Sequence, residues 1–322
     1  MRLVFMGTPE AAVPTLQRCL ADGHEVVAVW TQPDKPAGRG NKLKPPPVKE
    51  FALAHNLIVH QPSKIKTDEA RQLFASYDAD AVVVVAYGRI LPPAFLSAPR
   101  LGCINVHFSL LPKYRGAAPV NWAIVRGEEE TGVTTMQMDE GLDTGAILLQ
   151  RAIDINKRET APELTARLAQ LGAGLLSSTL AELETLKPRP QREDVATFAP
   201  ILRREEGLID WTQNAVDIER RVRGLQPWPN AYTIFNSRRL VIWRAETLRR
   251  FLLRHAEREL NSQDKEECGT VINSDLTQGH LDIACGGRTA LRLREIQPEG
   301  KRRMRTRDFL NGTRPIVGDK FG

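Results

Sequence analysis

Long apolar runs are missing from this chain of 322 residues. None of them approaches the roughly 18 residues that a membrane-spanning helix needs. The opening Arg2-Leu3-Val4-Phe5-Met6 is too short for a signal-peptide core and reads as a first strand. Cysteine is scarce: Cys19, Cys103, Cys268 and Cys285 form no C-x-x-C pair and no regular framework. That argues against a disulfide scaffold and for a reducing, cytoplasmic compartment. The six histidines, at 24, 55, 60, 107, 255 and 280, are scattered without metal-ligand spacing, which argues against a metal site. The dinucleotide fingerprint is also incomplete. Gly7-Thr8-Pro9-Glu10 follows the first strand with one of the three expected glycines, and Pro9 and Glu10 put bulk and negative charge where a pyrophosphate would sit. Nicotinamide chemistry is therefore not expected. Internal repeats are absent.

What is present begins with length, which suggests about two domains. Hydrophobic residues make up 42% and charged ones 26%, the balance of a soluble globular chain. The charge is unevenly placed. Up to Ile209 there are 24 basic and 24 acidic residues; from Asp210 onward there are 21 and 15, so the second part carries the whole net charge of +6. A basic second part suits a polyanionic partner, and on charge alone a solvated basic surface fits equally well.

In the first part, short apolar runs alternate with helical patterns. Strands are expected near Leu3–Met6, Val26–Trp30, Ala81–Ala86 and Cys103–Val106, with helices near Ala11–Leu20, Val48–Asn56 and Asp68–Ser76. Ala81-Val82-Val83-Val84-Val85-Ala86 does not alternate, as befits a strand buried on both faces. Later strands are expected at Gly132–Met138 and Ala146–Ile155, before a long helix over Ala161–Leu186. The pattern predicts an α/β fold with a doubly wound, mostly parallel, Rossmann-like sheet. Lys187-Pro188-Arg189-Pro190-Gln191 breaks the helix and opens what reads as an exposed linker. Beyond it a short helix, Ala215–Gly224, precedes strand-like pieces at Ala231–Phe235, Leu240–Ala245, Gly269–Asn273, His280–Ala284 and Ala290–Ile296, suggesting a small β-barrel. The expected domains are 1–187 and 209–322, joined by 188–208. The highly charged Arg249–Glu267 reads as an insertion.

Chemistry concentrates in Asn105-Val106-His107-Phe108-Ser109-Leu110-Leu111-Pro112 and in Gly141-Leu142-Asp143-Thr144-Gly145. Residues two apart on a strand share a face, so Asn105 and His107 can converge on one atom. A carboxamide can donate to an oxyanion, an imidazole can move a proton near neutral pH, and a carboxylate can orient that imidazole. Each has a blander reading taken singly: a structural histidine, a turn-shaping asparagine, a turn aspartate.

With these stretches the chain resembles the folate-dependent formyltransferases, in the branch that acts on tRNA. The resemblance also rests on Met6-Gly7-Thr8-Pro9, Gln32-Pro33-Asp34-Lys35-Pro36-Ala37-Gly38-Arg39-Gly40, Pro45-Pro46-Pro47-Val48-Lys49 and Tyr114-Arg115-Gly116-Ala117-Ala118-Pro119. Gly207-Leu208-Ile209-Asp210-Trp211, Gln226-Pro227-Trp228-Pro229 and Asp308-Phe309-Leu310-Asn311-Gly312 extend it across nearly the whole chain. It implies an OB-like second domain and transfer of a formyl group from 10-formyltetrahydrofolate to the α-amino group of initiator methionyl-tRNA, through a tetrahedral intermediate. The product would be N-formylmethionyl-tRNA for translation initiation. It implies Asn105, His107 and Asp143 as catalytic residues. Ser109, Leu110, Leu111 and Pro112, with Tyr87, Gly88 and Ile90 at the end of the buried strand, would form the folate site. Phe108 departs from the small residue commonest at its position.

The cation-bearing stretch Gln32–Pro47 reads by itself as a solvated loop; the resemblance implies that it engages the acceptor end of the tRNA, with Arg39, Lys42 and Lys44 as contacts. Lys301-Arg302-Arg303-Met304-Arg305-Thr306-Arg307 holds five cations in seven residues, and Lys301, Arg302, Arg303 and Arg305, with Arg203 and Arg204, are candidate phosphate contacts. A monomer is expected. The catalytic set leaves open a formyltransferase acting on a small amine, hydrolysis of the formyl donor, or a non-catalytic RNA-binding protein on this scaffold.

Overall fold

The computed structural model describes residues 1–37, 42–248 and 267–322. Arg39 and most of the charged 249–267 insertion lie outside the described residues. The chain divides into two compact units: residues 1–119, 130–154 and 163–200 form the first, and 120–129, 155–162 and 201–322 the second.

The first unit is built on a sheet of seven described strands: β1 (Arg2–Gly7), β2 (Glu25–Trp30), β5 (Val59–His60), β6 (Ala81–Val85), β7 (Cys103–His107), β8 (Glu130–Gln137) and β9 (Ile147–Asp154), in the order β5-β2-β1-β6-β7-β8-β9. The first five run parallel; β8 pairs antiparallel with β7, and β9 with β8. This is the doubly wound, mostly parallel arrangement that the alternating pattern predicts. All five residues of β6 are buried, as an unalternating valine run requires. Helices α1 (Val13–Ala21), α2 (Pro47–Ala54), α3 (Asp68–Ala75) and α4 (Pro93–Leu96) link these strands. One face of the sheet buries Trp30 against Phe74 and Phe95 in edge-on contacts at 5.5 and 5.7 Å. A two-stranded hairpin, β3 (Lys35–Ala37) with β4 (Lys42–Lys44), stands apart from the sheet.

Helices α5 (Pro119–Arg126) and α6 (Ala161–Glu182) carry the chain across the unit boundaries. Gly172 of α6 leaves room for the site strand: a methyl on it would stand 2.8 Å from Val106 Cγ1 and 3.5 Å from Phe108 Cε1. Phe108 packs beside the same glycine and is buried.

The second unit carries an antiparallel sheet of β10 (Tyr232–Phe235), β11 (Arg238–Thr247), β12 (Val271–Asp275), β13 (His280–Cys285), β14 (Thr289–Pro298) and β15 (Met304–Arg305). Its path is β10-β11-β14-β13-β12, with β15 on β14. Short antiparallel strands forming one small sheet, with helices packed on it, are the elements of an OB-like module. Helix α7 (Ala215–Gly224) begins at Asn214, whose side chain accepts from the amides of Val216 and Asp217. With the C-terminal α8 (Thr306–Thr313), which the cation-rich pattern hides, it packs Ile218, Val222, Phe309 and Leu310 onto Ile242, Leu281, Leu291 and Leu293. No helix among the described residues is long and apolar enough to cross a membrane.

Candidate active site

Strand β7 ends at the carboxyl edge of the sheet, where open α/β folds place ligands. Its register sets Asn105 opposite Met136 and His107 opposite Thr134. The two side chains therefore share a face, as their spacing predicts. The turn between β8 and β9 brings the carboxylate. Asp143 sits at φ 54°, a left-handed conformation that Asp tolerates better than most residues. Its Oδ1 accepts from Asn105 Nδ2 at 3.4 Å, and its Oδ2 lies 3.7 Å from His107 Nδ1. The shortest bond to that carboxylate comes from the Gly116 amide, 2.8 Å from Oδ2.

The imidazole is held from its other side. Nε2 lies 3.0 Å from the carbonyl oxygen of Tyr114, which can only accept, so Nε2 carries a proton and donates it. Nδ1 is thereby the nitrogen turned toward Asp143. At 3.7 Å that approach is an ion-pair distance and too long for a direct hydrogen bond. His107 is only 6% exposed, so its ring is fixed by burial and by Tyr114. Three residues that sequence patterns single out are thus brought together, while the Tyr114 carbonyl and Gly116 amide that fix them are backbone groups. Their only sequence signal is the Tyr114-Arg115-Gly116 stretch. Gly116 is needed there: its φ is 119°, and a Cβ would stand 2.7 Å from the Ala199 carbonyl oxygen.

Residues 188–200, read from sequence as an exposed linker, are tied to these loops. Arg115 N donates to Thr197 O (2.9 Å), Ala199 N to Arg115 O (2.7 Å) and Tyr114 N to Thr197 Oγ1 (2.9 Å). The Gln191 carboxamide reaches the backbone of the Asp143 turn, donating to Asp143 O (2.8 Å) and Gly145 O (2.7 Å). Proline-broken, polar sequence gives no hint of such pairing, because the side-chain partners lie between 46 and 83 positions away.

The expected folate residues divide. Leu111 belongs to the interior: it is 3% exposed and clusters with Met136 and Ile147, while its amide and carbonyl are taken by Thr134 Oγ1 and Gln150 Nε2. Ser109 is also buried, with its hydroxyl donating to Lys113 O at 2.6 Å. Leu110 and Pro112 are partly exposed. Tyr87 is buried, and burial pushes its phenol up to about 12. Its carbonyl accepts from Thr8 Oγ1 (3.0 Å) and Gln32 Nε2 (3.1 Å), and the Gly88 carbonyl from Gln32 Nε2 (3.2 Å). Ile90 is 73% exposed at the same sheet edge. Thr8 and Gln32, from two of the sequence stretches noted above, thus lace together the loops after β1, β2 and β6. Asp34, the one acid of the basic loop, is answered by Lys49 (2.9 Å) and Gln61 (2.7 Å); the Lys49 hydrogen bond, then that of Gln61, holds its carboxyl below the usual range.

Among the basic candidates, Lys42 and Lys44 lie exposed on one face of the β3–β4 hairpin, where Lys44 is paired with Lys35. Lys301, Arg302 and Arg305 are exposed, as are Arg203 and Arg204. Arg303 is engaged: its Nε donates to Glu295 Oε2 at 2.6 Å and its guanidinium lies 4.9 Å from the Trp243 ring centre.

Comparison with known proteins bears on this geometry. Residues 1–180 match the formyl transferase family model and residues 201–314 the model of the formyl transferase C-terminal domain. The methionyl-tRNA formyltransferase of Caldanaerobacter subterraneus is 48% identical over 315 residues, covering 97% of each chain. That of Acidobacterium capsulatum is 50% identical over 315 residues, 97% of this chain and 96% of its own. The chain belongs to the methionyl-tRNA formyltransferase family. The family's fold is shared more widely. WlaRD, a sugar 3N-formyl transferase whose crystal structure was determined in the presence of dTDP and 5-N-formyl-THF, superposes with a TM-score of 0.65 at 17% identity, covering 94% of this chain and 99% of that one.

Proposed function

We propose that the chain transfers the formyl group of 10-formyltetrahydrofolate to the α-amino group of initiator methionyl-tRNA, with Asn105, His107 and Asp143 as the catalytic residues. The observation that carries this reading is the convergence of carboxamide, imidazole and carboxylate at the end of β7 in a chain of this family.

An α-amino group with a pKa of about 7.7–8.0 is substantially protonated at neutral pH and must lose a proton before attacking. The new bond joins that nitrogen to the formyl carbon, and the formyl oxygen takes up negative charge in a tetrahedral intermediate. Asn105 Nδ2 has a second N–H besides the one facing Asp143, and it donates to that oxygen. His107, anchored through Nε2, uses Nδ1 with Asp143 to pass the amine proton toward the departing folate nitrogen, whose bond to the formyl carbon breaks. No enzyme nucleophile is needed. Cys103, at the start of β7, is no candidate for one, since burial pushes its thiol up to about 12.

Ile90, Leu110 and Pro112 would face the folate, with Ser109, Leu111, Tyr87 and Gly88 shaping the loops beneath. Lys42 and Lys44 would meet the acceptor end, and Arg203, Arg204, Lys301, Arg302, Arg303 and Arg305 the tRNA backbone; Arg39 shares the expectation for the first group. Binding by several phosphate contacts makes affinity fall steeply with salt. The same reading makes the enzyme a cytoplasmic monomer.

The test is formyl transfer to initiator methionyl-tRNA, with elongator methionyl-tRNA and free methionine alongside. The expected result is rapid transfer to the initiator species alone, and a loss of about 10²–10³-fold in kcat for Asn105→Ala, typical of removing one oxyanion donor. Wild-type turnover in His107→Ala would sink the catalytic assignment. Salt-insensitive tRNA binding would sink the basic contacts.

A further inference from the structure

We infer that Gln191, braced by the Arg115–Glu193 pair, is a positioning residue that sets the Asp143 carboxylate against His107; the inference rests on the catalytic reading of Asp143 given above. Asp143 occupies a left-handed backbone conformation that non-glycine residues adopt at an energetic cost. Bonds within the turn, from Gly141 N and Thr144 Oγ1 to Asp139 Oδ1, leave the Asp143 and Gly145 carbonyls for partners from outside to hold. Both N–H groups of Gln191 do so, one on Asp143 O at 2.8 Å and one on Gly145 O at 2.7 Å, gripping the turn on both sides of Thr144.

The grip is itself directed. Gln191 Oε1 accepts from Arg115 Nε at 3.0 Å, which fixes the amide so that its nitrogen faces the turn. Arg115 is only 2% exposed, and its two terminal nitrogens meet both oxygens of Glu193 at 2.8 and 2.7 Å, a bidentate pairing. The neighbours of Arg115 complete the circuit: Tyr114 O accepts the hydrogen bond from His107 Nε2 and Gly116 N donates to the Asp143 carboxylate. One tripeptide therefore touches the imidazole, the carboxylate and, through its arginine, the residue that clamps the carboxylate's backbone. The Gln191 end is registered against β9 by paired bonds between Arg189 and Ile147, both 2.8 Å. A residue of the stretch that reads from sequence as a linker thus reaches the backbone beside the candidate proton relay.

The experiment is a double-mutant cycle in the full chain, using 10-formyltetrahydrofolate and charged initiator tRNA. Gln191→Met keeps length and removes all three hydrogen bonds. It is expected to lower kcat by about 10–100-fold, the scale of a small misplacement of a reacting group, with KM for both substrates within about threefold. In an Asp143→Asn background the same change is expected to cost nothing further, because its effect runs through the carboxylate. Glu193→Gln, at an exposed acid, serves if Gln191→Met does not fold; a several-fold loss of kcat that vanishes beside Asp143→Asn is expected. Unchanged kcat in these variants, or an equal loss in both backgrounds, overturns the inference. Wild-type turnover in Asp143→Asn itself would instead overturn the catalytic reading on which it rests.

Discussion

A single methyl group at Gly145 probes the proposed geometry most sharply. A Cβ on Gly145 would stand 1.8 Å from the carbonyl oxygen of Gln137, 3.0 Å from its carbon and 3.1 Å from Met136 Cε. Carbon–oxygen contacts normally begin near about 3.3 Å, so one backbone must move by about 1.5 Å. Neither is free to do so. Gln137 is held by a bond from its amide to Ala146 O at 2.9 Å, and Gly145 O by Gln191 at 2.7 Å. The shift therefore reaches Asp143, two residues upstream. A misplacement of about 1 Å costs on the order of 10²-fold in rate, equivalent to about 2.7 kcal/mol in the barrier. Overpacking adds about 1–3 kcal/mol of instability. Gly141, in the same motif, provides the contrast. Its added methyl would meet only the Thr144 side chain, 1.9 Å from the hydroxyl, 3.1 Å from Cβ and 3.2 Å from Cγ2, so the strain falls on a side chain and not on a second stretch of backbone. The loss there is the Thr144–Asp139 hydrogen bond, about 1 kcal/mol. Single-turnover formyl transfer at saturating substrate, with thermal unfolding alongside, separates the two. The expected order is a kcat deficit of about 10²-fold for Gly145→Ala and well under about 10-fold for Gly141→Ala. Equal losses at both positions, or normal turnover in Gly145→Ala, would refute the reasoning.

Gly174, inside α6, has nothing within 4 Å of an added methyl, so Gly174→Ala should stabilise the chain by the helix-propensity difference of about 1 kcal/mol; calorimetry showing a lowered Tm would contradict this. Arg292 forms bidentate bonds of 2.6 and 2.7 Å to Asp282, which is 3% exposed, so Arg292→Ala leaves a buried carboxylate without its cation and should cost about 3–5 kcal/mol in denaturant unfolding; a loss below about 1 kcal/mol would show the pair to be solvated. Burial pushes Cys19, Cys103 and Cys285 up to about 12, whereas Cys268 is partly exposed. At pH 8 a thiol reagent should therefore label Cys268 first and the others only on unfolding. Because these folded-state values are raised, the thiols' contribution to stability is full below about pH 9, the unfolded value, and is lost as pH rises toward about 12. Fast labelling of all four at pH 8 would count against it. The Arg115 hydrogen bond holds Glu193 below the ordinary glutamate range. A depressed folded value means that the pairing's contribution is full above about 4.5 and fades as pH falls below it; a side-chain NMR titration placing Glu193 at or above 4.5 would contradict the pairing.

Much of the first unit is legible in residues alone because its signals are local. The unalternating valines of β6, the i, i+2 spacing of Asn105 and His107, and the proline-ended α6 pattern each declare their structure within a few positions. Helix α8 is hidden, since Phe309 and Leu310 supply the buried face of a segment whose opening cations dominate its pattern. The β3–β4 hairpin is hidden too, being polar and three residues per strand.

The site divides in the same way. Asn105, His107 and Asp143 are readable because their chemistry lies in side chains and their motifs are short. Tyr114 and Gly116 act through backbone atoms, which every residue possesses, so their side chains do not announce the role, although the Gly116 position itself requires glycine. Gln191 sits in a stretch whose composition reads as a connector. Its partners at Arg115, Asp143 and Gly145 are 76, 48 and 46 positions away. The sequence by itself determined the doubly wound sheet, the shared face of Asn105 and His107 and the uneven charge, all set by local pattern and composition. Only the tertiary structure decided which imidazole nitrogen faces Asp143, that Leu111 lies in the interior, and that residues 188–200 brace the loops around the candidate site. Those outcomes depend on hydrogen bonds between distant segments, whose partners are chosen when the chain packs.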